Sequence, residues 1–446
     1  MRRRLELLLA LSCLAAASDV QAQTTNPVMV PREAPFQSAA PPPPAEEKAA
    51  PKTVEKMSSD NGFELVDPLA KQNEGEEDPF QVSSVQELMD YGMAAAKRED
   101  FDEAIEIFNQ VLKKDPNNTP ARNNLAVCLR RVGKPGEAVK NLQIALQTQP
   151  NKAELYNNLA TAYLADGNFD SAMNAAYQAL RLKPDYAQAH YNLGHILAYR
   201  GDYSDAVNEY QEALKLMPES AEYHRDLGDA LEKLDRNDDA VVEYRAAQAR
   251  GDKSVALDLR VARVLKQSDK LTEAKIMLEK VLAAEPKNVE ALNQLGVVLW
   301  KMDRPRDAAL TLEDALKVEP NFAQARNNLG IVLYGLKQYD DAVAVWKQAI
   351  TLRPDYSAAH YNMGTALYQS GHYKEACGEF KECLRSSPTD AYAYNNLGLA
   401  ELKLDQSADA LQDWHKAIEL NPELAQAYIN IGKALHQKQS VADYTK

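Results

Sequence analysis

Residues 323–356 read AQARNNLGIVLYGLKQYDDAVAVWKQAITLRPDY, and residues 357–390 read SAAHYNMGTALYQSGHYKEACGEFKECLRSSPTD. Aligned, both carry Asn at position 6, Gly at position 8, Ala at position 20 and Pro at position 32. Working outward, the same 34-residue period runs from Val85 to Leu424, ten times without insertion or deletion, and an eleventh copy begins at Ala425. Position 8 is Gly or Ala in all eleven copies, and position 20 is Ala in all ten full ones, from Ala104 to Ala410. Position 32 is Pro in nine, from Pro116 to Pro422, with Asp252 as the exception.

Within a copy the apolar residues follow helical spacing twice, as in Tyr156, Leu159, Ala160 and Tyr163, then Ala172, Ala176 and Ala179. Each copy therefore reads as two short helices. Gly133, Gly167, Gly201 and Gly371 fall just after the first helix, where a left-handed cap is needed. Asp102, Asp170, Ser204, Asp238, Thr272 and Asp340, two residues before the invariant Ala, are expected to cap the second helix. Small residues at positions 8 and 20 allow close approach of the pair, and Pro at position 32 ends the second helix.

Leu/Gly at positions 7 and 8, Ala at 20, an aromatic or Leu at 24 (Phe108, Tyr210, Trp346, Phe380, Trp414) and Pro at 32 resemble the tetratricopeptide repeat. The resemblance covers about three quarters of the chain. It implies an all-α fold: a right-handed superhelical solenoid of tandem antiparallel helix pairs, about ten and a half repeats, with first helices on the concave side. A seam is expected near residues 251–255, where Gly251 and Asp252 replace the usual junction.

Two segments precede the array. Residues 1–22, with Arg2, Arg3 and Arg4, an apolar stretch Leu7 to Ala17 and Val20-Gln21-Ala22, read as a secretory signal peptide. Export to the periplasm or cell envelope is the expected localisation, and lipid attachment at Cys13 is a second reading of the same stretch. Residues 23–84 hold ten prolines and the acidic run Glu74-Gly75-Glu76-Glu77-Asp78, the composition of a disordered spacer. A Pro-rich recognition segment is the alternative there.

The chain has 446 residues, 51 Lys+Arg against 65 Asp+Glu, and a net charge of −14. That charge repels phosphate backbones, so nucleic acid is not an expected partner. The Cys residues lack metal-ligand or framework spacing. His190, His224 and His360 recur at position 4, a packing position, and Cys377 and Cys383 stand where other copies are apolar. No Gly-rich phosphate loop, nucleophile elbow or carboxylate pair rises above the repeat background. No enzyme activity, cofactor, metal or small-molecule ligand is expected.

Position 6 of the first helix carries the functional expectation. Seven of its eleven residues are Asn: Asn124, Asn158, Asn192, Asn328, Asn362, Asn396 and Asn430. Asparagine is a poor helix former, so its repetition in mid-helix points to use of the amide. On the same stripe position 9 varies freely, against mere copying. The expected role is a ladder that hydrogen-bonds an extended peptide, flanked by Tyr191, Tyr361, Tyr334 and Tyr368. Replacing Asn328, Asn362 and Asn396 by Ala is then expected to spare the fold.

The ladder resembles that of the repeat arm in the O-linked N-acetylglucosamine transferase family, where it holds polypeptide backbone. The resemblance stops at the arm: 22 residues follow Leu424, and no glycosyltransferase domain is expected. The carboxylate-clamp variety fits poorly, since position 5 holds Asn, Tyr or Arg225 rather than Lys. The reading is a non-enzymatic scaffold for extended protein partners. Its alternatives are a periplasmic chaperone with broad clients, or the recognition subunit of a separate enzyme such as a glycosyltransferase.

Overall fold

The structure, a computed structural model, describes residues 84–444, with side chains through residue 436. The signal-peptide and Cys13 readings, and the spacer up to residue 83, lie outside the described residues. Within them every element is an α-helix, and the helices fall into two compact units, residues 84–268 and 269–444. The seam expected near residues 251–255 lies one helix before that division.

The N-terminal unit runs α1 (Val85–Lys97), α2 (Phe101–Lys114), α3 (Thr119–Arg131), α4 (Pro135–Thr148), α5 (Ala153–Ala165) and α6 (Phe169–Leu182). It continues with α7 (Ala187–Arg200), α8 (Tyr203–Leu216), α9 (Ala221–Lys233), α10 (Asn237–Ala249) and α11 (Val255–Gln267). The C-terminal unit runs α12 (Leu271–Ala284), α13 (Val289–Lys301), α14 (Pro305–Val318), α15 (Ala323–Gly335) and α16 (Tyr339–Leu352). It ends with α17 (Ser357–Gln369), α18 (Tyr373–Ser386), α19 (Ala391–Lys403), α20 (Ser407–Leu420) and α21 (Ala425–Tyr444). Odd-numbered helices are the first of each copy. In both units neighbouring first helices touch directly, as α3 with α5 and α13 with α15, and where both helices of a copy lie in one unit the second packs chiefly on its partner and on the first helix of the next copy. First helices thus crowd one face, the inner one, and second helices the other.

Packing explains the invariant positions. All ten position-20 alanines, from Ala104 to Ala410, have no exposed surface. At position 8, a Cβ on Gly330 would lie 2.5 Å from the Trp346 ring, and one on Gly194 2.7 Å from the Tyr210 ring. Glycine there makes room for a large side chain at position 24. Where position 8 is Ala126 or Ala160, the residue at position 24 shrinks to Leu142 or Ala176. The volumes are matched across the pair, as close packing demands.

The turns follow from local sterics. Position 15 has positive φ in all ten full copies: Gly at 133, 167, 201 and 371, but Glu99, Asp235, Asp269, Asp303, Lys337 and Asp405 elsewhere. The residue before Pro is held extended, for example Asp115 at φ −134°. In copy 5, with Asp252 for Pro, α10 stops at Ala249 and Gly251 turns left-handed at φ 107°. One expectation is corrected. The second helix starts at position 17, so its cap is position 16, and only Asp100 and Asn168 there accept a backbone N–H through the side chain. Asp102, Asp170, Asp238 and Asp340 lie inside the first turn, where they oppose the positive end of the helix dipole. Ser204 and Thr272 are likewise one residue inside their helices.

Candidate functional site

The first helices present positions 5, 6, 9 and 12 toward the inner face and toward the next copy. Position 6 of one copy meets position 5 of the copy before it, 35 residues earlier. Asn158 Nδ2 donates to Asn123 Oδ1 at 2.7 Å, and Asn192 Nδ2 to Asn157 Oδ1 at 2.7 Å. In the C-terminal unit Asn328 donates to Asn293 (2.8 Å), Asn362 to Asn327 (3.0 Å) and Asn430 to Asn395 (2.9 Å). Asn396 Nδ2 donates instead to Tyr361 Oη at 2.9 Å. The repeated amide is therefore used first inside the array, as a rung between neighbouring copies.

Burial reinforces that role. Asn192, Asn328, Asn362, Asn396 and Asn430 are all buried, Asn362 with 0% exposure. Asn124, opposite Met89, has no such rung; its Oδ1 accepts from Asn123 Nδ2 at 3.3 Å. Asn124 and Asn158 alone among the seven are half-exposed. Of the flanking tyrosines, Tyr191 and Tyr361 are buried, while Tyr334 and Tyr368 are half-buried beside Tyr339 and Tyr373, at 5.2 and 5.3 Å between ring centroids. Removing Asn328, Asn362 and Asn396 is therefore expected to cost stability, because each deletion takes a donor away from a buried acceptor.

Copies 4 to 6 carry ions where other copies carry amides. Tyr191 Oη donates to Asp226 Oδ2 at 2.6 Å, and the same carboxylate meets His195 Nε2 at 2.9 Å and Arg225 Nε at 3.1 Å. Burial pushes the Asp226 carboxyl up, but His195, Arg225 and Tyr191 together hold it below the ordinary carboxylate range. Arg260 pairs with Asp229, and Arg263 with Glu232 at 2.8 Å. Asp226 and Arg260 interrupt the asparagine series by replacing neutral rungs with charged ones.

The position-4 residues form a second lock. His190, His224 and His360 each place Nδ1 within 2.7 Å of a glutamate at position 23 (Glu209, Glu243, Glu379). Their Nε2 atoms reach the carbonyls of Pro184, Pro218 and Pro354 at 3.0, 3.1 and 3.0 Å. Arg122 does the same to Pro116 and Asn141. These histidines tie the inter-copy turn to the second helix. Cys128, Cys377 and Cys383 are buried and unbridged, and among the described residues no group of His, Cys, Asp and Glu is arranged to hold a metal.

Sequence reasoning missed the position-5 asparagines, although the doublets Asn123-Asn124, Asn157-Asn158, Asn327-Asn328 and Asn395-Asn396 signalled them. It also missed Trp300 and Leu402, which extend Tyr334 and Tyr368 into a half-buried row at position 12 of the C-terminal unit. The Trp300 ring lies over Gly335 of the next copy, so close that a Cβ there would sit 2.0 Å away.

A tandem array of helix pairs, interlocked by side-chain rungs and presenting one inner face, defines the class: a protein-interaction scaffold. Residues 95–162, 153–186, 265–330, 357–390 and 391–424 match the Tetratricopeptide repeat family, and residues 194–235 and 333–371 match its TPR repeat. The chain belongs to the tetratricopeptide repeat family.

Among solved structures, the MamA protein is 28% identical, with 38% of this chain and 92% of that chain covered and a TM-score of 0.33. A thermophilic TPR protein of Thermus thermophilus, TTC0263, is 24% identical over 41% of this chain and 99% of its own, TM-score 0.37. PilF of Pseudomonas aeruginosa is 19% identical over 46% and 94%, TM-score 0.41. No curated protein matches the chain.

Proposed function

We propose that the inner face of the C-terminal unit binds an extended segment of a protein partner. The observation that supports this reading is the half-buried row Trp300, Tyr334, Tyr368 and Leu402, repeated at position 12 of first helices whose position-6 amides are buried. Aromatic side chains with one face on a packed floor are low-entropy anchors for a partner's side chains. In this reading Asn328, Asn362, Asn396 and Asn430 fix the floor, and Tyr334 and Tyr368 make contact. In the N-terminal unit the half-exposed Asn124 and Asn158 meet the partner backbone directly, while the buried Asn192 and Tyr191, and Tyr361 in the C-terminal unit, act from beneath. The chain carries out this role without catalysis. The signal-like residues 1–22 are the basis for placing it in the cell envelope, and no helix among the described residues is long and apolar enough to cross a membrane.

The test is a display of unstructured peptides on the full-length chain, with binders remeasured by calorimetry on Tyr334→Ala/Tyr368→Ala. Loss of binding at unchanged melting temperature supports the reading. Binders indifferent to both substitutions contradict it.

A further inference from the structure

The inner face of the N-terminal unit carries arginines at four repeat positions, and three of the four are matched by acids. Arg225 meets Asp226 and Asp252, Arg260 meets Asp229, and Arg263 meets Glu232. The guanidinium of Arg130, at position 12 of α3, makes no hydrogen bond or ion pair with any described residue, although the residue is half-buried. Burial, and then the like charge of Arg131, pull its guanidinium down to about 10. A cation that is partly desolvated, next to another cation and without an anion is an unfavourable arrangement in a chain of net charge −14.

The repeat register identifies what is missing. In copies 5 and 6, Glu232 at position 12 meets Arg263 at position 9 of the following copy, 2.8 Å apart. The residue at position 9 opposite Arg130 is Thr161, whose Oγ1 donates to the Asn158 carbonyl at 2.9 Å. A short neutral side chain thus stands where the register elsewhere places the other half of an ion pair. We propose that Arg130 takes its carboxylate from a partner: the inner face of copies 2 and 3 binds an acidic protein segment, an Asp or Glu side chain of which fills the position opposite the guanidinium. The spacing suits a carboxylate, because the Glu232–Arg263 pair shows positions 12 and 9 of successive copies at ion-pair distance, there with the charges exchanged. This inference stands apart from the aromatic row of the C-terminal unit and does not depend on it.

The test uses the full-length chain and two fluorescein-labelled decapeptides, one alternating Glu and Ala and one with Gln for every Glu, followed by anisotropy at low and high salt. The Glu probe is expected to bind about tenfold or more tightly than the Gln probe and to weaken with salt. Arg130→Gln is expected to abolish that discrimination, and Arg130→Lys to restore part of it. Melting temperatures separate binding from folding. Arg263→Gln lowers the melting temperature by removing the counter-charge of Glu232, which keeps only its hydrogen bond from Tyr244, whereas Arg130→Gln holds or raises it. Equal binding of the two probes, retention of discrimination in Arg130→Gln, or a melting loss in Arg130→Gln matching that of Arg263→Gln would each overturn the proposal.

Discussion

Tyr191 and Tyr361 occupy position 5 in copies 4 and 9, and each meets position 6 of the copy that follows. In the N-terminal unit the hydroxyl donates to the Asp226 carboxylate; in the C-terminal unit the hydroxyl accepts from the Asn396 amide. One backbone register carries both. The carboxylate draws in His195 and Arg225 and stays partly solvated, with 13% of its side chain exposed. The amide needs no counter-charge and is buried at 4%. Position 6 is therefore a coupling position whose chemistry sets whether the inner face above it is ionic or apolar. The first helices that carry the buried amides also carry the row Trp300, Tyr334, Tyr368 and Leu402, and the face of copies 4 to 6 is a set of ion pairs.

The contrast between the two units breaks most visibly if the amides are removed. Asn328→Ala, Asn362→Ala and Asn396→Ala together remove the amide donors of the buried Asn293, Asn327 and Tyr361. Each of the three losses is expected to cost about 1–3 kcal/mol. Urea unfolding should report a much lower midpoint for the C-terminal unit, and a midpoint equal to wild type would show that the rungs are ornamental.

A smaller effect than that of the triple variant is expected at the ionic rung. Asp226→Ala leaves Arg225, His195 and Tyr191 without their shared acceptor and is expected to cost about 3–5 kcal/mol. Asp226→Asn, which recreates the C-terminal type of rung, is expected to cost less, because the amide keeps a partner in Tyr191. If the two substitutions are equally damaging, the tyrosine does not serve both chemistries.

The two units are also expected to differ in pH dependence, with the smallest effect. The Asp226 carboxyl is held low in the fold, so its contribution is present above the ordinary carboxylate range and is lost as acid protonates it. The opposite holds at Asp413. Burial, and then the neighbouring Glu401, raise its carboxyl to about 7. Glu401 is 3% exposed at a position that is Leu in most copies; its Oε1 lies 3.2 Å from Lys381, and its Oε2 has no donor. A group raised in the fold favours the folded state when protonated, so this contribution is full at acid pH and is lost as pH rises through about 7. The melting temperature of the C-terminal unit is expected to fall as pH rises toward about 7 and to level off above it, and Glu401→Leu to raise it and flatten that slope. A slope unchanged in Glu401→Leu would place the titration elsewhere.

Much of this architecture was legible in the sequence. The 34-residue period, the helix pairs and the close approach at positions 8 and 20 follow from spacing and residue size, which act locally. The caps were misplaced by two residues, because Lys134, Arg236, Lys270 and Arg304 hold the cap position without a capping side chain. The importance of the position-6 amide was legible from its helix penalty, but its first partner was not. That partner lies 35 residues away on another helix, and only the superposition of copies brings Asn293 beside Asn328. Arg130 was invisible for the same reason: its lack of a partner is a property of the packed register, not of the chain.

Coupling of neighbouring copies by the asparagines can be measured in a double-mutant cycle on Asn293 and Asn328. Asn293→Ala, Asn328→Ala and the double variant are compared by urea unfolding. The account predicts that each single substitution strands the other's amide, so that the double costs less than the sum by about 1 kcal/mol. Strict additivity would contradict it.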